Sequence, residues 1–83
     1  MSTQAKIVIL RSDYGRPTPF GTFAPFIDTV VGGVYDVLIL EPGEVDDDGD
    51  EVDKRSVSFR DEVGDLVGAH IDYHEGQSFK FVE

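Results

Sequence analysis

The chain has no cysteine among its 83 residues. This absence excludes a disulfide framework and a thiolate metal site, and it is typical of proteins made in a reducing cytosol. Residues 1–83 are enough for one domain. A domain of this size buries little more than about 60% of the surface of its unfolded chain, so its core is marginal. We therefore expect partners, dimerisation or close packing to supplement the core.

Long apolar segments are also missing. The run Ile7-Val8-Ile9-Leu10 is far too short for a membrane span or for the apolar region of a signal peptide. No basic segment with a long apolar stretch behind it stands at the N-terminus. The sequence therefore predicts a soluble protein that is made and used in the cytoplasm and has no membrane partner.

Positive charge is scarce, and negative charge is unevenly distributed. The formal net charge is −10. Residues 1–35 carry three basic and two acidic side chains, or +1, and residues 36–83 carry four basic and fifteen acidic ones, or −11. Nucleic acids and anionic membranes attract positive surfaces, so direct binding to either is not expected. The asymmetry favours a basic protein partner. The alternative is that the charge only keeps the protein soluble.

Catalytic signatures are absent as well. The chain offers no thiol nucleophile and no serine in an elbow motif. Carboxylates are plentiful, but no two of them stand in recognisably contrasting environments, as an acid–base pair requires. We predict that the protein is not an enzyme, has no catalytic residues and needs no cofactor.

The acidic run at residues 44–53 is the most distinctive feature that is present. Seven of its ten residues are acidic, and it separates two apolar, strand-like segments. An extended chain would space these charges about 4–5 Å apart. That density is comparable to one phosphate per about 3.4 Å along a DNA strand. The run therefore favours mimicry of a nucleic-acid backbone, the alternative being a solvated, mobile hairpin tip. The predicted partner-binding residues are Glu44, Asp46, Asp47, Asp48, Asp50, Glu51 and Asp53.

Two further patterns suggest metal ligands, but neither is complete. If Gly49 were the sixth residue of an EF-hand loop, the twelfth position would hold Arg55 instead of a bidentate carboxylate. His70, Asp72 and His74 would share one solvent-facing side of a strand, but the two histidines would then lie about 13 Å apart. We predict no metal site.

The loop at residues 12–21 and the residues that follow it form the second candidate contact segment. Its glycines and prolines break regular structure, and arginine and aromatic side chains on loops often dominate binding surfaces. We predict that Tyr14 and Arg16 are exposed contacts. Of the three phenylalanines, Phe20, Phe23 and Phe26, at least two are expected to fill the core.

The apolar pattern predicts a mostly β fold. Strands are expected at residues 5–11, 34–41, 54–60, 66–73 and 77–82, with a turn at 61–65 and the acidic run as a long hairpin loop. Turns every 8–12 residues are typical of a small antiparallel barrel or sandwich of five to six short strands, with one short helix as a further possibility.

Two segments leave alternatives open. Residues 26–31 are predicted to pair with 34–40 across Gly32-Gly33, although residues 22–31 also fit a helix. Residues 66–73 and 77–82 are predicted to pair across 74–76. The alternative is a helix at 61–71, which Gly64 and Gly68 would each destabilise by about 1 kcal/mol.

The sequence thus favours a small acidic binding module or inhibitor, monomeric or homodimeric. It would present its carboxylate-rich loop to a basic partner such as a nucleic-acid-binding enzyme or effector. A phage-type anti-defence protein, as in anti-CRISPR proteins, is one example of this class. The alternative is a small structural or assembly protein, of a virion or a scaffold, in which the acidic loop only solubilises the particle.

Overall fold

The computed structural model describes residues 3–82, which form seven strands and one short helix. The strands are β1 (Thr3–Ile9), β2 (Arg16–Thr18), β3 (Gly21–Phe23), β4 (Val34–Leu40), β5 (Ser56–Arg60), β6 (Leu66–His70) and β7 (Phe79–Val82). Helix α1 (Ile71–His74) lies between β6 and β7. Five strands make an antiparallel sheet in the order β6-β5-β4-β1-β7, and β2 and β3 form a separate pair. The predicted mostly β fold with one short helix is confirmed.

One face of the five-stranded sheet carries the hydrophobic core. Successive side chains of a strand point to opposite faces, so every second residue faces inward. In β5 these are Val57 and Phe59, and in β1 they include Ile7 and Ile9, all of them buried. The segment that crosses from β6 to β7 covers this face, since Ile71 of α1 belongs to the same core cluster.

The opposite face, called the outer face here, is unusual over β4 and β5. Leu40, Ser56 and Ser58 belong to this face by alternation, and yet all three are buried. In the sequence, Ser56 and Ser58 alternate with apolar residues, a pattern that predicts a half-buried strand with the serines in solvent. The difference arises because the acidic run folds back over the outer face, as its shared pocket walls with Ser58 show.

The predicted hairpin between residues 26–31 and 34–40 is wrong, and so is the alternative helix at 22–31. Residues 25–29 form turns instead. The Gly32-Gly33 step leads the chain into β4, and Ile9 exchanges backbone hydrogen bonds with both glycines. β4 pairs with β1 and β5. The longer apolar β1 is the better partner, and Phe26 leaves the strand path to enter the core.

The predicted pairing across residues 74–76 is also wrong. β7 pairs with β1, from Lys6↔Val82 to Ile9↔Phe79, at the edge of the sheet opposite β6. Residues 71–73, predicted to continue the strand at 66–73, instead form α1 together with His74. The alternative helix at 61–71 is replaced by a turn at 61–65 followed by β6. Among residues 3–82, no helix has the length and apolar character that crossing a bilayer demands.

The prediction that at least two of Phe20, Phe23 and Phe26 fill the core is wrong. Only Phe26 of its three phenylalanines is buried, at 0% exposure, and its ring lies 5.6 Å from that of Phe79. Phe20 is 100% exposed and Phe23 is largely exposed. The small β2–β3 hairpin inside the predicted loop carries both exposed rings to the surface.

Candidate functional site

The acidic run is an ordered hairpin, because one carboxylate organises its turn. Oδ1 of Asp46 accepts the backbone N–H groups of Asp48, at 2.9 Å, and of Asp50, at 3.0 Å. The N–H of Gly49 donates to the Asp46 carbonyl, and Gly49 takes a φ of 83°. That left-handed conformation favours glycine. The turn therefore needs the pattern Asp-x-x-Gly-Asp.

The same pattern recurs at residues 61–65 and gives the same turn. Oδ1 of Asp61 accepts the N–H groups of Val63 and Asp65, and Gly64 has a φ of 85°. The 46–50 turn lies between β4 and β5 and the 61–65 turn between β5 and β6, so they mark opposite ends of β5. A five-residue local signal thus sets both hairpin tips.

Residues 44–53 are called the acidic hairpin here. Hydrogen bonds also hold the two ends of this hairpin together. The N–H of Gly43 donates to the carbonyl of Val52, and the N–H of Val52 donates to that of Glu44, both at 2.9 Å. The N–H of Glu41 donates to a carboxylate oxygen of Glu44 at 2.7 Å and lowers the pKa of that carboxyl. These bonds give the tip of the hairpin, residues 46–51, a defined position.

Between the acidic hairpin and the outer face lies a hollow of about 200 Å³. Small side chains make room for it, since Ser58 stands opposite Gly68 in the β5–β6 register. A Cβ built on Gly68 would meet nothing within 4 Å. The hollow is lined by Leu40, Asp46, Glu51, Val52, Asp53, Ser56, Val57, Ser58, Gly68 and His70.

The Ser58 hydroxyl is the one polar group of the hollow's floor that stands without a partner. The residue is only 7% exposed, and no group within residues 3–82 hydrogen-bonds to its side chain. Its oxygen still keeps contact with solvent, and the residue lines the hollow. Ser56, its neighbour on the same face, instead donates to the carbonyl of Lys54 at 2.8 Å.

His70 connects the two predicted contact segments. The Arg16 guanidinium donates to Nδ1 of His70 at 3.1 Å, since arginine has no acceptor. The proton of the neutral ring then resides on Nε2, which donates to Asp53 at 3.1 Å. The chain Arg16–His70–Asp53 therefore joins β2 to the base of the acidic hairpin through the end of β6.

Four of the predicted acidic side chains stand outside such networks among residues 3–82. Glu41 pairs with Arg55 at 3.1 Å and Asp72 with Lys54 at 3.9 Å, so the two nearest cations in sequence serve other carboxylates. The carboxylates of the hairpin that receive no hydrogen bond or ion pair from residues 3–82 are those of Asp47, Asp48, Asp50 and Glu51.

Tyr14 and Arg16, predicted as exposed contacts, differ in their surroundings. Tyr14 is half-buried, with its ring 5.3 Å from that of Tyr73 and 5.8 Å from that of His74. Arg16 is exposed, and its guanidinium lies 4.9 Å from the centre of the Tyr73 ring. The structure thus brings Arg16 to the edge of the acidic hairpin and places Tyr14 behind it.

Protein-family models, curated proteins and solved structures all fail to match this chain. Its function therefore has to be argued from the arrangement of its own residues.

The one trio of ligand atoms close enough for a cation, among residues 3–82, lies away from the acidic hairpin. Carboxylates of Asp28, Asp61 and Asp65 bring one oxygen each within 4.8 Å of the others. Asp28 and Asp65 are exposed, and Oδ1 of Asp61 is occupied by the turn. Exposed carboxylates cluster in this way without an ion, so the cluster supports no metal assignment.

His74 was predicted to face solvent, and this is wrong. It is 5% exposed, packs edge-on against Phe26 at 5.4 Å, and lies 2.9 Å from the Ser78 hydroxyl through Nδ1. The reason is that α1 turns His74 under the sheet, whereas a strand would have left it on the surface. His70 and Asp72 therefore do not share a ligand face with it.

We predict that His74 makes folding sensitive to mild acid. Burial, with Arg16 and His70 nearby, lowers the pKa of His74 below its usual 6.5. The unfolded chain then takes up the proton first, so the stabilisation is complete above about pH 6.5 and declines below it. Urea midpoints should fall between about pH 7.5 and about pH 5.5 more steeply for the natural protein than for His74→Gln. Equal changes in the two proteins would contradict this role.

Sequence reasoning missed Ser58, Gly68 and the pairing role of His70. The alternation Ser56-Val57-Ser58-Phe59 does signal a strand with one small-residue face. The glycine opposite Ser58 depends on the β5–β6 register, which follows from the length of the 61–65 turn.

Proposed function

We propose that the protein is a small binding module or inhibitor that presents its acidic hairpin to a basic site on a protein partner. The observation that carries the proposal is the ordered tip, whose carboxylates at Asp47, Asp48, Asp50 and Glu51 have no partner within the described residues 3–82. A loop needed only for solubility requires charge but no fixed backbone. A recognition surface gains from being pre-organised, because less conformational freedom is lost on binding.

The shape of the tip refines the idea of nucleic-acid mimicry. The run does not extend in a line, because Val45 and Glu51 pair across the hairpin and residues 46–50 reverse the chain. Its carboxylates therefore form a compact cluster instead of a phosphate-like row. Such a cluster suits a basic groove or pocket of a nucleic-acid-binding enzyme or effector, in the manner of a phage-type anti-defence protein.

The mechanism would be occlusion. The carboxylates occupy the site that the partner uses for phosphates and pair with its lysine and arginine side chains. Long-range attraction to a chain of net charge −10 would speed the encounter. Salt would weaken it, since exposed charges are screened over about 8 Å at physiological ionic strength. Action as a monomer or homodimer in the cytoplasm is part of this proposal.

The test compares two variants that lose the same charge. The tip variant carries Asn in place of Asp47, Asp48 and Asp50. It loses three charges at the tip and keeps Asp46, which holds the turn. Asp28→Asn, Asp65→Asn and Glu75→Gln together remove three exposed charges elsewhere. Each protein is used to capture partners from host lysate, and captured proteins are tested for competition with nucleic acid. The tip variant should lose a nucleic-acid-binding protein that the natural and control proteins both retain.

A second candidate, an assembly protein, is favoured by exposed apolar side chains. Val30, Val31 and Val34 are all more than half exposed beside Gly32-Gly33, and Ile27 and Val63 are also exposed. The backbone hydrogen bond from Glu62 to Asp28 connects the segments that carry Ile27 and Val63. Clustered apolar side chains on a surface mark contact sites. If all three proteins capture the same material, or form the same defined multimer at high salt, the assembly candidate replaces the inhibitor.

A further inference from the structure

The hollow beneath the acidic hairpin combines acceptors with an apolar wall. Its polar lining includes carboxylates of Asp46, Glu51 and Asp53 and the hydroxyl of Ser58. His70 contributes no free donor, because its Nε2–H is directed to Asp53 and its Nδ1 faces Arg16. A ligand of this site must therefore supply donors. Leu40 and Val52 line the same space and can receive methylene groups.

The Ser58 hydroxyl gives the floor of the hollow a polar group to which a ligand can bond. Its oxygen has no partner within residues 3–82 and stays in contact with water, so a donor of a ligand would replace that water. Ser58 is 7% exposed and lines the hollow, and it also borders two adjoining depressions of the outer face. This observation is independent of the carboxylates, which lie on the hairpin above it.

The volume of the hollow limits the size of the ligand that it can hold. About 200 Å³ is below the roughly 300–1,000 Å³ of sites for drug-sized molecules. It suits one long side chain. Arginine has five N–H donors, no acceptor and a three-carbon stem that packs on apolar surface. Its planar guanidinium also pairs with carboxylates through two hydrogen bonds at once.

We propose that the hollow between the acidic hairpin and strands β4–β6 is a pocket for a single arginine side chain of the protein partner. The guanidinium lies among Asp46, Glu51 and Asp53, its stem packs on Leu40 and Val52, and its inner edge donates to Ser58. This inference rests on the proposed function and specifies what the acidic hairpin recognises. An arginine held in this way would be the central anchor of the interface, with the tip carboxylates around it.

Gly68 allows the pocket to be closed without any change of charge. Its Cβ position is open, its backbone is not in the left-handed region, and it lines the hollow. In Gly68→Leu the new side chain occupies the guanidinium site, whereas Gly68→Ala leaves most of the space free. Ser58→Ala removes the buried hydroxyl and leaves the volume unchanged. These three variants keep every carboxylate.

The probe is a blocked tripeptide, acetyl-Gly-Arg-Gly-amide, titrated into the isotope-labelled protein with amide chemical shifts as the readout. The matched control peptide contains citrulline, which keeps the shape of arginine and lacks its charge. The arginine peptide should give saturable shifts at Glu51, Ser58, Gly68 and His70. Gly68→Leu should weaken its apparent affinity by at least about tenfold, which is the loss of one charge-assisted hydrogen bond.

Each outcome decides the matter. The pocket is supported if the citrulline peptide binds the natural protein weakly and the arginine peptide binds Gly68→Leu weakly. The affinity of Gly68→Ala for the arginine peptide should be close to that of the natural protein. No saturable shift, or equal binding by Gly68→Leu, overturns the pocket. Failure of the pocket is separable from failure of the proposed function. If the tip variant loses the captured partner and Gly68→Leu retains it, the acidic hairpin binds through surface charge alone and only the pocket is wrong.

Discussion

Phe26→Ala should destabilise the protein by about 3–5 kcal/mol, the usual cost of removing a buried phenylalanine. Phe26 is 0% exposed and its ring contacts those of Phe59, His74 and Phe79 at 5.4–5.8 Å. It is the side chain by which the irregular segment before β4 closes the core. In a domain of this length the melting temperature should fall by at least about 12 °C.

Phe20→Ala is the matched control, because the same atoms are removed from a side chain that is 100% exposed. It should change the free energy of unfolding by less than about 0.5 kcal/mol. Phe26→Leu keeps the core filled better than Ala does and should cost less than Phe26→Ala, so it reports the effect even if the alanine variant fails to fold. Equal losses in Phe20→Ala and Phe26→Ala would contradict the assigned core. Urea unfolding of the three variants measures the difference.

Gly15→Ala should be the second most damaging change. A Cβ at Gly15 would lie 1.9 Å from the carbonyl oxygen of Phe23 and 2.9 Å from Cα of Ala24. Both are backbone atoms, so the β2–β3 hairpin would have to move as a whole. The Gly15 carbonyl also accepts the Tyr73 hydroxyl at 3.2 Å, a contact that the movement would disturb. We expect a loss of about 3 kcal/mol, at the upper end for overpacking.

Gly68→Ala serves as its control. The added methyl group meets nothing within 4 Å, and the position lies in a strand with ordinary dihedral angles. Gly→Ala at such a position reduces the freedom of the unfolded chain and stabilises by about 0.4–1 kcal/mol. Thermal unfolding should therefore move in opposite directions for the two alanine variants. A Gly15→Ala protein as stable as Gly68→Ala would show that the close approach to Phe23 is not required.

The strands that carry strong local patterns could be predicted from the sequence. β1 and β4 are short β-branched runs, and the 61–65 turn follows from Gly64 and its aspartates. Each of these signals is complete within a few residues. The acidic run was equally clear as a hairpin loop, because Pro42-Gly43 ends one apolar strand and residues 54–60 begin the next.

The errors arose where distant segments compete for the same partner. β4 had a nearby candidate at residues 26–31, but β1 pairs with it over six register positions. Likewise, β7 pairs with β1 and not with β6, which is its neighbour in sequence. Both edges of β4 are occupied, by β1 and β5, so residues 26–31 do not pair with it and Phe26 lies in the core. No local sequence pattern predicts which strands pair, because the pairing depends on the free energy of the whole sheet.

The candidate site was predictable in its charge and not in its shape. The carboxylates of residues 44–53 are plain in the sequence, and Arg16 was expected to make contacts. The hollow exists because the acidic hairpin folds back over Ser58 and Gly68, which requires the register of β5 with both neighbours. His70 joins Arg16 to Asp53 only after β6 has been placed beside β5.

Recognition of a basic partner by the acidic hairpin can be tested by one affinity measurement. The captured partner is purified, and its dissociation constant is measured for the natural protein, the tip variant and the charge-matched control, at low salt and at a few hundred millimolar salt. We expect much weaker binding by the tip variant at low salt, near-natural binding by the control, and a marked loss of affinity for all three proteins at high salt. Equal affinities for the three proteins that persist at high salt would contradict it.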